Sequence, residues 1–200
     1  MRLVCGGQAG PHHPARRSRC RCRAHRRRIA GTARRDGDLV NHRIVIRYPF
    51  APAVLLRALI TPQFHVDKAL RLGAFRCELL EQGTNGTAMT LRMRRRMPTA
   101  APVPRALAKL IPPELVVEHH DQWDASSGCG LIAVQIAHAP VRLRARASVL
   151  AIESGCEHRF DWEIAASIPL VGGALERFIA QDLDRSLQIE ATVVREMLAQ

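Results

Sequence analysis

The segment Ile168–Pro169–Leu170–Val171–Gly172–Gly173–Ala174–Leu175–Glu176 opens a long amphipathic helix running to the C-terminus, and it constrains the fold more than any other stretch. A strand-like run, Glu157 to Ala165, precedes it and ends ahead of the proline. Two glycines follow, and their missing side chains let a helix pass close to other backbone. The helix then carries Leu175, Phe178, Ile179, Leu183, Leu187, Ala191, Val194 and Leu198 at spacings of three and four, which puts them all on one face. A terminal helix with one apolar face must be gripped by something, and the sequence before it reads mostly as strands.

Those strands can be placed one by one. Asn41–Tyr48 alternates Ile44 and Ile46 with Val45 and Arg47 and is the first. Pro52–Ile60 and Pro62–Leu72 read as two short helices, each with proline at its first turn, where a missing N–H costs nothing. Thr61 is the expected N-cap of the second. Ala74–Glu81 and Thr87–Met97 form a hairpin, with the Asn85–Gly86 pair as its turn signal. A proline-rich linker, Pro98 to Pro113, contains a short apolar helix at Arg105–Ile111. Four more strands follow at Glu114–Asp124, Gly130–Ala137, Val141–Ile152 and Cys156–Ala165. The order is strand, two helices, six strands and a long helix. Hairpin-length connections make antiparallel neighbours, so the expected assembly is one sequential antiparallel sheet with the long helix inside its curve.

The last two strands test that assembly. One side of the first reads Arg142, Arg144 and Arg146, and one side of the second reads Glu157, Arg159, Asp161 and Glu163. If Glu153–Ser154 is a two-residue turn, Arg146 lies opposite Asp161 and Arg144 opposite Glu163. Basic then meets acidic on the solvent face, while Leu143, Ala145, Phe160 and Trp162 turn inward. Exposed pairs of this kind identify register rather than add stability.

Charge is concentrated at one end. Residues 1–40 hold eleven Arg and two Asp, which leaves 19 of the 30 Lys and Arg and 16 of the 18 Asp and Glu for the remainder. The domain is thus nearly balanced, and no nucleic-acid partner is expected for it. The tail lacks both helical and strand periodicity and is read as a disordered Arg-rich extension outside the domain. Three accounts of it stand side by side. It touches nucleic acid or anionic lipid; it binds metal through Cys20, Cys22, His12, His13 and His25; or it is upstream sequence read into a mis-assigned start. No apolar run reaches the length of a membrane span, and residues 1–40 contain no apolar core of a secretory signal. Six scattered cysteines (Cys5, Cys20, Cys22, Cys77, Cys129 and Cys156) are expected as thiols in a cytoplasmic protein.

This order of elements resembles the START-like superfamily, also called SRPBCC. Its α+β helix-grip fold is a seven-stranded curved antiparallel sheet wrapped around a long C-terminal helix, with two short helices after strand one. The segment at residues 169–176, the Trp-bearing strand from His119 to Trp123 and the linker Pro98–Pro113 are similar to an uncharacterised branch, a domain-of-unknown-function family common in actinobacteria. The resemblance covers roughly residues 41–198 and leaves out the tail.

The resemblance implies a ligand-binding domain over residues 41–200: a soluble binding or carrier module for a hydrophobic small molecule of the lipid, sterol or polyketide class. The ligand would lie between sheet and helix, within reach of Met89, Leu91, Met93, Val117, Ile132, Val134, Phe160, Trp162 and Phe178. Gly172 and Gly173 would lie at the mouth. The same side chains would equally fill a solid core, but a low aromatic count and several alanines leave inward volume unfilled. The alternative is a polyketide cyclase- or dehydratase-like enzyme using the same cavity. His119 and Asp121 share a strand face with Trp123 and are its candidates for acid–base work; as structural residues they would do no chemistry. Arg92, Arg94, Arg95 and Arg96 form a basic run, read as a solvated strand edge or as a peripheral contact with anionic lipid head groups. No phosphate loop, carboxylate pair or His-rich metal helix is present, so neither cofactor nor metal is expected.

Overall fold

Pro52 and Pro62 start two helices and Gly172 starts a third, and between them the chain is strand. The computed structural model describes residues 40–99, 111–168 and 172–199. In order these form β1 (Val40–Tyr48), α1 (Pro52–Leu59), α2 (Pro62–Arg71), β2 (Arg76–Asn85), β3 (Ala88–Pro98), β4 (Glu114–Asp124), β5 (Cys129–Ile136), β6 (Val141–Ile152), β7 (Gly155–Ala166) and α3 (Gly172–Leu198). The tail at 1–39, the linker helix expected at 105–111, apart from Ile111, and residues 169–171 of the opening segment lie outside the described residues.

The seven strands form one antiparallel sheet in the order β1-β7-β6-β5-β4-β3-β2. Strands β2 to β7 are sequential, as hairpin loops require. β1 is not: it pairs with β7, at the far edge from β2. The reason is local, because α1 and α2 separate β1 from β2 and carry the chain across the sheet. With α3 on its inner side, the curved sheet has the helix-grip fold.

Register follows the side chains. In the β6–β7 hairpin Ile152 pairs with Gly155, so Glu153 and Ser154 make the turn, Arg146 faces Asp161 and Arg144 faces Glu163. The ion pair of Asp161 nevertheless runs to its other neighbour, with Arg43 Nε on β1 at 2.6 Å. Arg144 and Arg146 make none among the described residues. β2 extends to Asn85 rather than stopping at Glu81, so Gly86, at φ +60°, and Thr87 form the turn. Thr61 does precede α2, but its hydroxyl donates to the Arg57 carbonyl at 2.8 Å instead of capping the helix ahead of it.

Inner faces of the strands are mostly apolar and largely buried. Leu91 and Ile164 are completely buried, and Met89, Met93, Ile46 and Phe160 nearly so. Trp123 lies flat over Gly130, where a Cβ would come within 2.6 Å of the indole. Only glycine at that position lets a large ring cover the sheet.

α3 packs across β1 and β7 and touches α2. Leu175, Ala180, Leu187, Ala191 and Val194 are buried along it, while Phe178, Ile179, Leu183 and Leu198 are half-buried. Gly172 meets the expectation of close approach, since a Cβ there would sit 2.8 Å from the Ala166 carbonyl. Gly173 does not: it is exposed, and only the end of the Arg177 side chain comes near. The buried Glu176 carboxylate accepts a hydrogen bond from the Ala166 N–H at 2.7 Å, tying the helix start to the end of β7. No helix among the described residues is long and apolar enough to cross a membrane.

Candidate functional site

Where α3 begins, it stands off from the sheet and leaves a cavity of about 190 Å³. Val117, Val134, Val141 and Leu143 form its sheet wall, and Leu175, Phe178, Ile179 and Leu183 its helix wall. Met97, Ile111 and Leu115, at the ends of β3 and β4, close one side. The charged groups among the described lining are Arg95 and Asp182.

Of the residues expected to line a ligand site, this cavity brings together Val117, Val134 and Phe178. Met89, Leu91, Met93, Phe160 and Trp162 are packed in the core beside it, and Ile132 is half-buried on the same sheet face. Gly172 and Gly173 are not part of the described lining. The division has a simple origin. Strand parity puts all these side chains on the inner face, but only the rows nearest the α3 N-terminus escape being covered by the helix and by α1 and α2.

Deeper along the same face lies a polar cluster. His119 and Asp121 do point inward, and Asp121 is 5% exposed. They are not bonded to each other. Asp121 instead approaches His65 of α2, Oδ2 to Nδ1 at 3.5 Å, and the His65 Nε2–H donates to the Leu59 carbonyl at 2.8 Å. Lys68, one turn further along α2, donates to Glu190 of α3 at 2.6 Å. His158 of β7 lies between Trp123 and Phe160, with ring centroids at 5.4 and 4.0 Å.

Burial dominates the protonation of this cluster. It pushes the Asp121 carboxyl up to about 7. It lowers His65 to about 4, with the Lys68 charge adding to the effect, and His158 to about 3. His119 is held well below its ordinary value by burial and then by Arg95 and Lys68. For Glu190, burial works upward but Lys68 and Arg95 overcome it, so the carboxylate stays below its ordinary range. Among the described residues, His65 Nδ1, His119 Nε2, His158 Nε2, Asp121 Oδ1, Arg95 Nε and both indole N–H groups find no hydrogen-bond partner. No group of three or more His, Cys, Asp or Glu among the described residues is arranged to hold a metal.

The basic run of β3 divides by parity. Arg92, Arg94 and Arg96 point outward, where Arg92 and Arg94 share Glu118 and Arg96 holds Glu114 at 2.9 Å. Arg95 departs from the expected solvated edge: it follows Met93 on the inner face and lines the cavity. Alternation alone would have found Arg95 and His158, since each continues an inward apolar row. No sequence signal marks Lys68 or Glu190, which meet only because α2 and α3 pack together.

A family model described as "Protein of unknown function (DUF2505)" matches residues 43–198. No curated protein matches the chain. Among solved structures, Ara h 8.0201 is similar at a TM-score of 0.58 and 11% identity, over 80% of this chain and 98% of that one. A START superfamily protein from Mycobacterium smegmatis is similar at 0.53 and 11% identity, over 81% of this chain and 99% of that one. A protein of unknown function from Staphylococcus aureus, SA2116, is similar at 0.54 and 11% identity, over 82% of this chain and 97% of that one. At such identities the likeness is one of fold. The chain belongs to the DUF2505 family of proteins of unknown function, and its domain is a START-like helix-grip fold.

Proposed function

We propose that this domain binds an apolar small molecule in the cavity between the sheet and the first half of α3. The observation that carries the reading is an opening of about 190 Å³, walled mainly by valine, leucine, isoleucine and phenylalanine side chains, beside an inner face whose other apolar side chains are mostly buried. The side chains at Val117, Val134 and Val141 leave this space unfilled. Of the lipid, sterol and polyketide classes, the size favours a slender chain or one or two rings, because sites for drug-sized ligands measure about 300–1,000 Å³. As a carrier or binding module the domain needs no cofactor, and the expected setting is the cytoplasm.

The test is native mass spectrometry of the purified chain, followed by organic extraction and titration with an uncharged, environment-sensitive apolar dye. Stoichiometric co-purification of an apolar molecule, or saturable dye uptake lost in Val134→Trp, supports the reading. A chain that carries nothing and takes up no dye refutes it.

One observation favours a catalytic alternative of the cyclase or dehydratase kind. Asp121, at about 7, is poised near neutral pH, where a general acid or base works best. His119 and Asp121 do not line the cavity, so this alternative requires the ligand to reach past Arg95 and Val117 into the polar cluster. Turnover of a bound ligand that Asp121→Asn abolishes would establish it. Bound ligand recovered chemically unchanged would leave binding alone.

A further inference from the structure

Among the described residues, one cation lines the apolar cavity, and it forms no ion pair with any of them. Arg95 reaches the cavity from β3, opposite Val117 in register, and its Nε is sealed from solvent without a partner. A guanidinium stays charged in any protein environment, so its charge must be met from outside itself. The acids near enough to act on it are Glu190 and Asp121. Glu190 is committed to Lys68 at 2.6 Å. Asp121 sits beside His65 and makes no hydrogen bond through Oδ1. The inner histidines supply no anion. Asp182, on the opposite wall, is raised above its ordinary value by burial, against the Arg185 charge, and forms no ion pair with Arg95. Lys68 and Glu190 thus bond directly, and Arg95, whose charge acts on Glu190 from further away, holds no carboxylate of its own at the boundary between the apolar walls and the polar cluster.

We propose that the occupant of this cavity is an apolar chain or ring ending in a carboxylate, seated on the Arg95 guanidinium with its body between Val117, Val134, Leu143, Leu175 and Phe178. This rests on the ligand-binding reading above and adds the chemical class of the ligand. The planar fork of arginine matches the two oxygens of a carboxylate, and the surrounding low dielectric strengthens that pairing relative to water. An alcohol or ester of the same length fills the same walls but leaves the guanidinium unpaired.

Isothermal titration of the full chain with octanoate and with octan-1-ol tests the assignment. Octanoate is expected to bind about 10- to 100-fold more tightly, the range for hydrogen bonds to a charged group. Arg95→Met, which keeps an unbranched side chain, is expected to bring octanoate and octan-1-ol to similar affinity. Arg95→Lys should keep part of it. Equal binding of the two probes by the unaltered protein overturns the carboxylate assignment and leaves the apolar-cavity reading standing. Binding of neither overturns both. A measurement independent of any variant uses octanoate labelled with 13C at its carboxyl. Paired with Arg95, the bound acid titrates below its free value; titration at or above the free value overturns the proposal.

Discussion

Acidifying the protein from pH 7 to pH 5 is expected to destabilise it strongly, because three histidines are enclosed in their neutral form. Burial, aided by Lys68, holds His65 at about 4; burial holds His158 at about 3 and lowers His119 well below its ordinary value. In the unfolded chain each returns to about 6.5. Below that value the unfolded state takes up protons that the folded state refuses, so stability falls with falling pH by about 1.4 kcal/mol per unit for each group. The contribution is complete above about 6.5 and is lost as pH drops toward the folded values. By pH 5 His65 and His158 together account for about 4 kcal/mol, and His119 adds in the same direction. Asp121 works in the opposite direction. Burial raises it to about 7, so in this window the folded state keeps a proton that the unfolded chain has released, and acidification returns about 2 kcal/mol. The net loss from these three groups is about 2 kcal/mol, which His119 enlarges, against the ~5–15 kcal/mol that holds a typical domain folded. Urea denaturation at pH 5, 6 and 7, followed by the fluorescence of the buried Trp123 and Trp162, measures it. His158→Phe, which keeps a ring between Trp123 and Phe160, is expected to flatten the slope by the share of one histidine, about 1.4 kcal/mol per pH unit below 6.5. A midpoint at pH 5 equal to or above that at pH 7 would refute the burial argument.

Other perturbations separate packing from surface effects. Gly130→Ala places a methyl within 2.6 Å of the Trp123 ring and is expected to cost about 1–3 kcal/mol in thermal denaturation; an unchanged melting temperature would mean that the indole is free to move aside. Leu91→Ala, at a side chain with no exposed surface, is expected to cost about 2–5 kcal/mol, and a much smaller loss would point to a loosely packed inner face. Arg43→Ala removes an ion pair whose partners are 72% and 53% exposed, and the denaturation midpoint should not move measurably. A chain lacking residues 1–39 is expected to show no salt-sensitive retention on immobilised nucleic acid; persistent retention would locate a basic interface within the domain itself.

Most of the fold was legible because it rests on short-range rules. Proline fixed the starts of α1 and α2, and alternation fixed β4 and β6 to the residue. A two-residue turn at Glu153–Ser154 set the register of β6 on β7. The place of β1 was not legible in the same way, because nothing in Val40–Tyr48 distinguishes pairing with β2 from pairing with β7. That choice depends on where α1 and α2 leave the chain. For the same reason opposed charges did not specify their own pairs: Asp161 faces Arg146 on one side and Arg43 on the other, and it bonds the latter.

The candidate site divides along the same line. Parity assigned Val117, Val134 and Trp162 to the inner face, and the 3.6-residue period assigned Leu175 and Phe178 to the gripping side of α3. Parity says which way a side chain points, but not whether another element covers it. That is why Leu91 and Phe160 are core while Val117 and Val134 border open space. The sequence by itself determined the elements, their order and the inward set of side chains, since each follows from backbone geometry within a few residues. Only the tertiary structure decided that a cavity remains at the start of α3, that Lys68 and Glu190 bond each other, and that Arg95 lines the cavity without an ion pair among the described residues. These outcomes depend on contacts between α2, β3 and α3, segments far apart in the chain, and no local pattern encodes the distance between them.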